Sequence, residues 1–511
     1  MYETDQLISM IGSKRAMLSQ LRLLFSSLDL PTKPIRFLDP FCGSGAVARL
    51  ARSMGMQVRA SDILPFSYTV NSIYLGFNDE DLLPMFQEMG GLDAYLSMLN
   101  LQGLYCATTA EALVHPYLSR HYAPLDENSY DHATERLFFH PANARFLDAV
   151  RSEIDQSLQD GKLSVVEHSL IVTTILYAAS VKANTSGTFT SYHKSLSNRR
   201  RISQIMELQA PYLPSKQVPK GKMYLADAAE FLKKNSGDIC FLDPPFSVQQ
   251  YSSAYHLLNT IALWDGYEPP PVSTQKAGIR SDWKQSASRF SSLQHADAAF
   301  VQLFGSIDAR YIILCYPTKG IVSTKRIMEL LSARHGPVNV IPLRKANQGG
   351  VQAKGKVAQI EQVFVAGKKA VHYWPVEEAL KRVELYKRID FLVSQVFCEV
   401  QEASPFSFAG GIILKTPLDD AKLLSMGTTE LENVIGRLEK AVCTSEIQAI
   451  RLLCQSLEEP QIESSEAVIL KRRLRMSLVQ AKEKWGIKQL MHLLEDEPQS
   501  AVVKQWMSQY V

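Results

Sequence analysis

The chain of 511 residues lacks several features that assign a sequence to a class directly. Its seven cysteines are scattered and form no Cys-x-x-Cys pair, which argues against a disulfide framework or zinc knuckle and fits a reducing cytoplasm. No apolar run approaches the length of a membrane span, and residues 1–10 show no signal pattern. The net charge is only +3, so any surface for nucleic acid must come from local basic clusters.

Phosphate-binding signatures are absent as well. The glycine-rich segment FLDPFCGSGAV (residues 37–47) is not Gly-x-Gly-x-x-Gly, and no Gly-Lys-Ser/Thr follows it. It lies between a strand predicted at 35–39 and a helix at 46–54, and a second strand at 57–60 follows. This pattern is typical of a βαβ unit, preceded by a helix that we predict over residues 11–34.

The α/β alternation stops and later resumes. Between about residues 78 and 222 helical patterns dominate, notably at 143–158 and 165–182. After the interruption, strands are predicted at 223–225, 238–242, 311–316, 338–342 and 362–366. The fold class is therefore α/β: a Rossmann-like sheet with an inserted, mostly helical domain and a helical C-terminal region. The predicted domains are residues 1–77 with 223–375, residues 78–222, and residues 376–511.

A carboxylate beside a glycine turn is the first candidate site. Asp39 ends a predicted strand, where open α/β sheets bind ligands, and Gly43 and Gly45 allow a tight turn with close approach of a ligand. A carboxylate here suits an ammonium group, and Asp62 after the next strand suits a diol such as ribose. On this segment alone, a helix-entry turn of any α/β protein is an equal alternative.

The segment ICFLDPPF (residues 239–246) is the second candidate site. Two prolines directly after an apolar strand cannot extend a sheet, and they fix the chain in an exposed shape. Asp243 and the Pro244 carbonyl then offer two acceptors, which match the two donors of an exocyclic amino group. Phe246 can stack on a base. The alternative is a strand-terminating Asx-Pro turn.

In their order along the chain, these segments resemble the motifs of the Dam-like, alpha-group adenine-N6-specific DNA methyltransferases. That family places its target-recognition domain between motifs II and III, where this chain has residues 78–222, and the resemblance covers roughly residues 8–370. The matching segments are IGSKRAML (11–18, motif X), FLDPFCGSGAV (motif I), SDI (61–63, motif II), LADAAEFL (225–232, motif III) and LDPPF (242–246, motif IV).

The resemblance implies a Rossmann-like methyltransferase sheet, S-adenosyl-L-methionine as cofactor and double-stranded DNA as partner. Asp39 and the following turn would hold the methionine part, and Lys14 would lie near its carboxylate. Asp62 would bind the ribose hydroxyls and Asp227 the adenine amino group. The implied cofactor-binding residues are Lys14, Asp39, Pro40, Phe41, Gly43, Gly45, Asp62 and Asp227.

The resemblance also implies the catalytic residues. The target adenine would be held by Asp243, Pro244, Pro245 and Phe246. Many family members have Tyr in place of Phe246; because Phe keeps the stacking face and loses only a hydroxyl, we expect the activity to be retained. The implied setting is restriction–modification or phage defence.

A base that is flipped out of the duplex requires a surface that grips the DNA. Residues 192–201 and the loop 344–356 contain basic residues and no acid, and residues 276–290 form a third basic and aromatic stretch. A solvated basic helix start is the alternative for the first cluster. The residues expected to contact DNA are Tyr192, Lys194, Arg199, Arg200, Arg201, Lys345 and Lys354.

Other functional classes stay open on the sequence alone. An RNA or cytosine-N4 methyltransferase shares the acceptor arrangement of LDPPF. A catalytically silent binding module of a defence complex is a further alternative, against which the intact Asp39, Asp62, Asp227 and Asp243 argue. No metal-ligand spacing occurs, and His256 is expected to be structural. The C-terminal helices can pack on the catalytic domain, self-associate or dock a partner protein, and the first is favoured.

Overall fold

The computed structural model describes most of the N-terminal two thirds of the chain and little of the remainder. Contacts divide the chain into two units, Met1–Leu343 with Glu361–Tyr373, and Arg344–Ile360 with Trp374–Val511. Residues 345–359, which include all but the first residue of the predicted loop 344–356, and most of the region after residue 367 lie outside the described residues. The described residues are 2–31, 34–110, 113, 115–197, 200–214, 217–344, 360–367, 381–382, 385, 388–389 and 426–438.

One seven-stranded sheet organises the first unit. Its strands are β1 (Arg36–Asp39), β2 (Gln57–Asp62), β3 (Lys222–Leu225), β4 (Ser236–Leu242), β5 (Asp308–Pro317), β6 (Val338–Arg344) and β7 (Ile360–Gly367). They lie in the order β3-β2-β1-β4-β5-β7-β6. The first five run parallel, and β7 is antiparallel to β5. The predicted α/β sheet is thus confirmed, including the two final strands as neighbours.

Helices connect and cover these strands. The described α-helices of the first unit are α1 (Leu18–Ser27), α2 (Ala46–Ser53), α3 (Pro65–Gly76), α4 (Asp79–Leu82), α5 (Leu92–Thr108), α6 (Leu118–His121), α7 (Pro141–Gln159), α8 (Val165–Lys182), α9 (Arg200–Ser203), α10 (Ala228–Lys233), α11 (Tyr251–Ala254), α12 (His256–Leu263), α13 (Ala296–Gly305) and α14 (Thr324–His335). Seven of them, α3 to α9, lie between β2 and β3 in sequence, and α4 to α9 fall within residues 78–222. Helical structure therefore interrupts the alternation where the sequence predicts it.

The centre of the sheet is apolar because both of its faces are covered. The last four residues of β4 are all buried, and so are the last three of β1. Phe37 of β1 and Phe241 of β4 stack with ring centroids 6.4 Å apart, and Phe25 of α1 packs edge-on against Phe37 at 5.4 Å. This packing fixes the two strands that carry the candidate carboxylates.

The predicted range of the first helix, residues 11–34, is wrong. The structure has a 3-10 helix at Lys14–Met17 and then α1, which ends at Ser27, well before residue 34. The chain leaves the helix because Leu28 takes an extended conformation. At the start, Gly12 has a φ of +76°, so the backbone turns there and Ser13 caps the 3-10 helix.

The helices α7 and α8 agree with the predicted ranges. Ser164 and Glu167 form a capping box at the start of α8, in which each side chain accepts from the other's backbone N–H. By length and composition α8 is apolar enough to cross a membrane, but half of its residues are buried inside the protein, as in a core helix. The separation of residues 78–222 as a target-recognition domain stays a prediction.

Within the second unit, residues 428–438 form a helix. Three of its residues, Leu431, Val434 and Leu438, are buried at helical spacing. They fall inside the predicted helical C-terminal region. Most of the other residues of that region lie outside the described residues, so the helical character of residues 376–511 stays a prediction.

Candidate active site

Four aspartates lie at the carboxyl ends of four adjacent strands. Asp39 and Asp62 are the last residues of β1 and β2, Asp243 directly follows β4, and Asp227 follows β3 by two residues. These strands run parallel in the order β3-β2-β1-β4. The four carboxylates therefore share one edge of the sheet, where open α/β sheets bind ligands.

A cavity of about 370 Å³ opens along this edge. It collects predicted residues that are more than 200 positions apart in the sequence. Gly45, Pro244 and Phe246 do not line it. The predicted residues in its lining are Lys14, Asp39, Pro40, Phe41, Gly43, Asp62, Asp227, Asp243 and Pro245.

Two glycines with left-handed backbone shape the turn after β1. Gly43 has a φ of +51° and Gly45 a φ of +80°. A Cβ on Gly45 would lie 1.9 Å from Oδ1 of Asn71, a distance that no real side chain adopts. Gly45 also donates its N–H to the Cys42 carbonyl at 2.8 Å and precedes α2. Gly45 thus shapes the turn without lining the cavity.

Two buried polar residues of α3 hold this turn, and the sequence analysis missed them. Ser67 Oγ and Asn71 Nδ2 donate to the Gly43 carbonyl at 2.7 and 3.0 Å. Asn71 also donates to the Ser67 carbonyl at 3.0 Å and is fully buried. The signal was present, because a polar pair at i and i+4 within an otherwise apolar helix face must find hydrogen-bond partners.

The carboxylates of β1 and β2 are held by backbone N–H groups. Asp39 Oδ1 accepts from the Phe41 N–H at 3.3 Å, and Asp62 accepts from Gly43 at 2.8 Å and from Leu64 at 2.9 Å. Burial raises the pKa of Asp39 well above its usual range, and the neighbouring Asp243 and Asp62 carboxylates raise it further. Burial also raises the pKa of Asp62, against these hydrogen bonds. A cationic ligand would relieve this accumulation of negative charge.

Asp227 occupies the more exposed end of the site. Its Oδ1 accepts from the N–H groups of Ala229 and Glu230 at 2.9 and 3.3 Å, so it is the N-cap of α10. The residue itself is exposed. Capping uses Oδ1 alone and fixes the carboxylate at the cavity wall.

The LDPPF segment leaves β4 as a rigid turn. Asp243 is 22% exposed, and Pro244 behind it is buried. The Phe246 carbonyl accepts from the Ile321 N–H at 3.2 Å, which ties the segment to the loop after β5. The Phe246 ring lies beside Gly12, where a Cβ would be 3.4 Å from Cε1. The LDPPF segment is therefore packed against the turn that precedes α1.

Lys14 contacts the Asp243 carboxylate. Its Nζ donates to Asp243 Oδ1 at 2.7 Å and to the Gly12 carbonyl at 2.9 Å, and its side chain is 2% exposed. The family resemblance implies a place near the carboxylate of the cofactor. The structure gives the ammonium group a partner in the protein, across 229 residues of sequence.

One further wall of the cavity was also not predicted as part of the site. It comprises Ser286 to Phe290, together with Gln302 of α13. Gln250 fixes this segment through two reciprocal hydrogen bonds to Ser288, at 2.7 and 3.1 Å. The Phe290 ring packs edge-on against Phe41, with centroids 5.3 Å apart. The segment had been considered only as a surface for DNA.

The residues expected to contact DNA are partly described. Tyr192 is half-buried and packs edge-on against Phe138, with centroids 4.9 Å apart, so its ring contributes to the protein interior. Lys194 and Arg201 are exposed, as a phosphate contact requires. Arg200 begins α9, but its side chain lies outside the described residues, as do Arg199, Lys345 and Lys354 entirely.

Two other candidates have structural partners. Arg280, in the third basic stretch, is 5% exposed and binds both oxygens of Asp265 at 2.8 and 2.7 Å, so its charge is neutralised within the protein. His256 is fully buried beside the Phe189 carbonyl at 2.9 Å, and burial lowers its pKa to about 3. Within the described residues, no group of three or more His, Cys, Asp or Glu is placed to hold a metal ion.

Comparisons with known proteins agree with this geometry. The type II methyltransferase M.NlaIII of Neisseria lactamica is 30% identical over 305 residues, which are 60% of this chain and 81% of the relative. The modification methylase LlaI of Lactococcus lactis subsp. lactis is 25% identical over 371 residues, and the chain spans about half (54%) of its length. The type II methyltransferase M.CviAII of Paramecium bursaria Chlorella virus 1 is 22% identical over 307 residues, 82% of its length.

A family model matches more than half of the chain. It describes the D12 class of N6 adenine-specific DNA methyltransferases and covers residues 10–302, from the turn before α1 to α13. This range contains every residue of the cavity described above. The resemblance to adenine-N6 DNA methyltransferases is thereby confirmed, and the chain belongs to the D12 class of N6 adenine-specific DNA methyltransferases.

Proposed function

We propose that this enzyme transfers a methyl group from S-adenosyl-L-methionine to N6 of an adenine flipped out of double-stranded DNA, within one recognition sequence. The observation that carries the proposal is the shared cavity of Asp39, Asp62, Asp227 and Asp243. It allows cofactor-binding and base-binding carboxylates to act on one pair of reactants. We place it in the cytoplasm, in a restriction–modification or phage-defence setting; the relatives are named as a type II methyltransferase and a modification methylase.

The chemistry of the cavity lining suits this cofactor. S-adenosyl-L-methionine supplies, when bound, an electrophilic methyl group next to positive charge. A fully buried carboxylate with a raised pKa, Asp39, lies beside a turn whose backbone a ligand can approach closely. A cation near Asp39 favours its ionised form, so binding and charge neutralisation support each other.

The other two carboxylates suit the nucleoside part. Asp62 accepts from the backbone N–H groups of Gly43 and Leu64, and because a carboxylate can accept about four hydrogen bonds it can also accept from a ribose hydroxyl. Asp227 is fixed by its capping bonds at the exposed end of the cavity, where it can accept from an adenine amino group. These roles follow the order of the strands along the sheet edge, β1, β2 and β3.

The base-binding side is formed by Asp243, the Pro244 carbonyl and the Phe246 ring. The two acceptors match the two hydrogens of an exocyclic amino group, and the ring can stack on the base face. Accepting both hydrogen bonds favours a pyramidal nitrogen, which frees its lone pair for attack on the methyl carbon. The carbon–sulfur bond breaks as the carbon–nitrogen bond forms, and the methylated nitrogen then loses one proton. No strong base is needed before transfer.

A transfer assay tests the proposal. The protein is incubated with tritium-labelled S-adenosyl-L-methionine and mixed genomic DNA, the DNA is digested to nucleosides, and Asp243→Ala serves as the control. We expect label in N6-methyldeoxyadenosine with the wild type and none with the variant. Cofactor binding by the variant, measured by calorimetry, shows that it is folded. Label in N4-methyldeoxycytidine, label only in RNA, or cofactor binding without transfer would overturn the proposal.

A further inference from the structure

The contact between Lys14 and Asp243 assigns a function to a buried cation. The Lys14 Nζ lies 2.7 Å from Asp243 Oδ1, and the lysine side chain is 2% exposed. A buried ammonium group is costly unless it is paired and hydrogen-bonded. Both conditions are met, since Nζ also donates to the Gly12 carbonyl at 2.9 Å.

The backbone that carries Lys14 is itself fixed against the base-binding side. The Ile11 N–H donates to the Tyr255 hydroxyl at 2.7 Å, and the Tyr251 hydroxyl donates to the Ile11 carbonyl at 3.0 Å. A Cβ on Gly12 would lie 3.4 Å from both the Phe246 ring and the Tyr251 hydroxyl. Residues that follow β4 in the sequence therefore fix the backbone beside Lys14, and this fixes the place from which its side chain extends.

The electrostatic surroundings of Asp243 require a compensating charge. The Asp243 carboxylate is close enough to Asp39 to raise the pKa of Asp39. Of the basic residues in the described cavity lining, Arg289 donates to Gln302 Oε1 at 2.8 Å, while Lys14 binds Asp243 directly. The charged residues that line the cavity are Lys14, Asp39, Asp62, Asp227, Glu230, Asp243 and Arg289.

We infer that Lys14 is a positioning residue for Asp243: it binds Oδ1 and compensates the negative charge, so that the carboxylate is held in place to accept from the target amino group. This inference rests on the proposed function and reassigns Lys14 from the cofactor to the base-binding side. The cofactor carboxylate then depends on donors other than Lys14.

The test compares Lys14→Met with Lys14→Arg and separates binding from turnover. Methionine keeps the length of the side chain and removes the charge, whereas arginine keeps the charge. For Lys14→Met we expect kcat at saturating cofactor to fall roughly tenfold to a hundredfold, as for a lost charged hydrogen bond. The Kd for S-adenosyl-L-methionine, measured by calorimetry without DNA, should change by less than about threefold. Lys14→Arg should recover part of kcat.

The pH profile of kcat is a readout that a merely structural role would not change. Without the ammonium group, Asp243 binds a proton more readily, so the acid limb of the profile should move to higher pH in Lys14→Met and return in Lys14→Arg. If Lys14→Met instead weakens cofactor binding tenfold or more while kcat and the acid limb stay unchanged, Lys14 is a cofactor ligand and the inference is wrong.

A double-mutant cycle on thermal unfolding tests the pair independently of turnover. Asp243→Asn leaves Lys14 buried without its charged partner, so this variant should melt below the wild type. Adding Lys14→Met removes the buried positive charge, and the double variant should melt at a higher temperature than Asp243→Asn alone. Additive losses would contradict the pairing. If the wild type transfers no methyl group, the proposed function fails, while the cycle still reports whether the pair exists.

Discussion

The side-chain amide of Asn71 donates to the Gly43 carbonyl at 3.0 Å, so a buried residue of α3 holds the turn that follows β1. Ser67 donates to the same oxygen at 2.7 Å. The turn is thus fixed from outside the cavity, by residues that do not line it. Its shape is a property of the α3 packing as much as of the glycines.

Replacing Asn71 with Ala should loosen this turn. The variant loses donors to Gly43 and Ser67, and we expect it to lower the free energy of unfolding by about 1–3 kcal/mol. The Kd for S-adenosyl-L-methionine should rise. Asn100→Ala is the matched control, because Asn100 makes two similar bonds to the Leu208 backbone, away from the cavity. A control that weakens cofactor binding as much as Asn71→Ala would show that general destabilisation is the cause.

Gly45→Ala should be more damaging than a change at a glycine with the same backbone conformation. Left-handed backbone alone costs an alanine about 1–2 kcal/mol. At Gly45 the new Cβ would also collide with Asn71, whereas Gly161 has a φ of +73° and no atom within 4 Å of a Cβ. Urea unfolding should therefore rank Gly45→Ala below Gly161→Ala, and only Gly45→Ala should lose cofactor affinity. Equal losses for the two variants would exclude the collision.

Asp39→Asn should raise the stability of the fold relative to the wild type as pH rises, and it should lower the affinity for the cofactor. Burial raises the pKa of Asp39, so the folded state holds a proton that the unfolded chain releases, and stability falls as pH rises above the unfolded value. The asparagine carries no charge, so the variant should gain stability relative to the wild type as pH rises. Cofactor affinity should drop roughly tenfold or more. Thermal melts between pH 5 and 8, with calorimetry, measure both effects; a variant that is less stable at every pH contradicts this account.

The sequence predicted the chemical core of the site better than its walls. Asp39, Asp62, Asp227 and Asp243 could be placed at one sheet edge, because each follows a short apolar run and parallel strands align their carboxyl ends. The residues that form and fix the wall of the cavity could not be predicted. Gln250 and Ser288 are joined by tertiary packing, which no local periodicity encodes.

Lys14 shows more directly that contacts between distant residues could not be predicted from the sequence. Its motif was identified, but its partner Asp243 is 229 positions away, and only the folded chain brings them together. The end of α1 was also misplaced, since apolar residues continue to Leu30 although Leu28 is already extended. Helical periodicity alone does not define where a helix ends.

Lys194 and Arg201 should bind phosphate groups of DNA. Both side chains are exposed. Each replacement by Ala should weaken binding to DNA of any sequence, and it should reduce the slope of log affinity against log salt concentration by about one. Lys162→Ala is the control, because this exposed lysine pairs with Asp160 at 2.9 Å. Fluorescence anisotropy with duplex DNA at several salt concentrations measures the slopes. Unchanged slopes in both variants would place the DNA on another surface.

The central claim is that Asp243 directs methyl transfer to adenine N6 in DNA. The most direct measurement is the expression of the wild type and of Asp243→Asn in a methylation-deficient bacterium, followed by single-molecule sequencing of the genome. The account predicts N6-methyladenine at one short recognition sequence with the wild type and none with the variant. Modified cytosine, unmodified DNA with the wild type, or methylated adenine with the variant would contradict it.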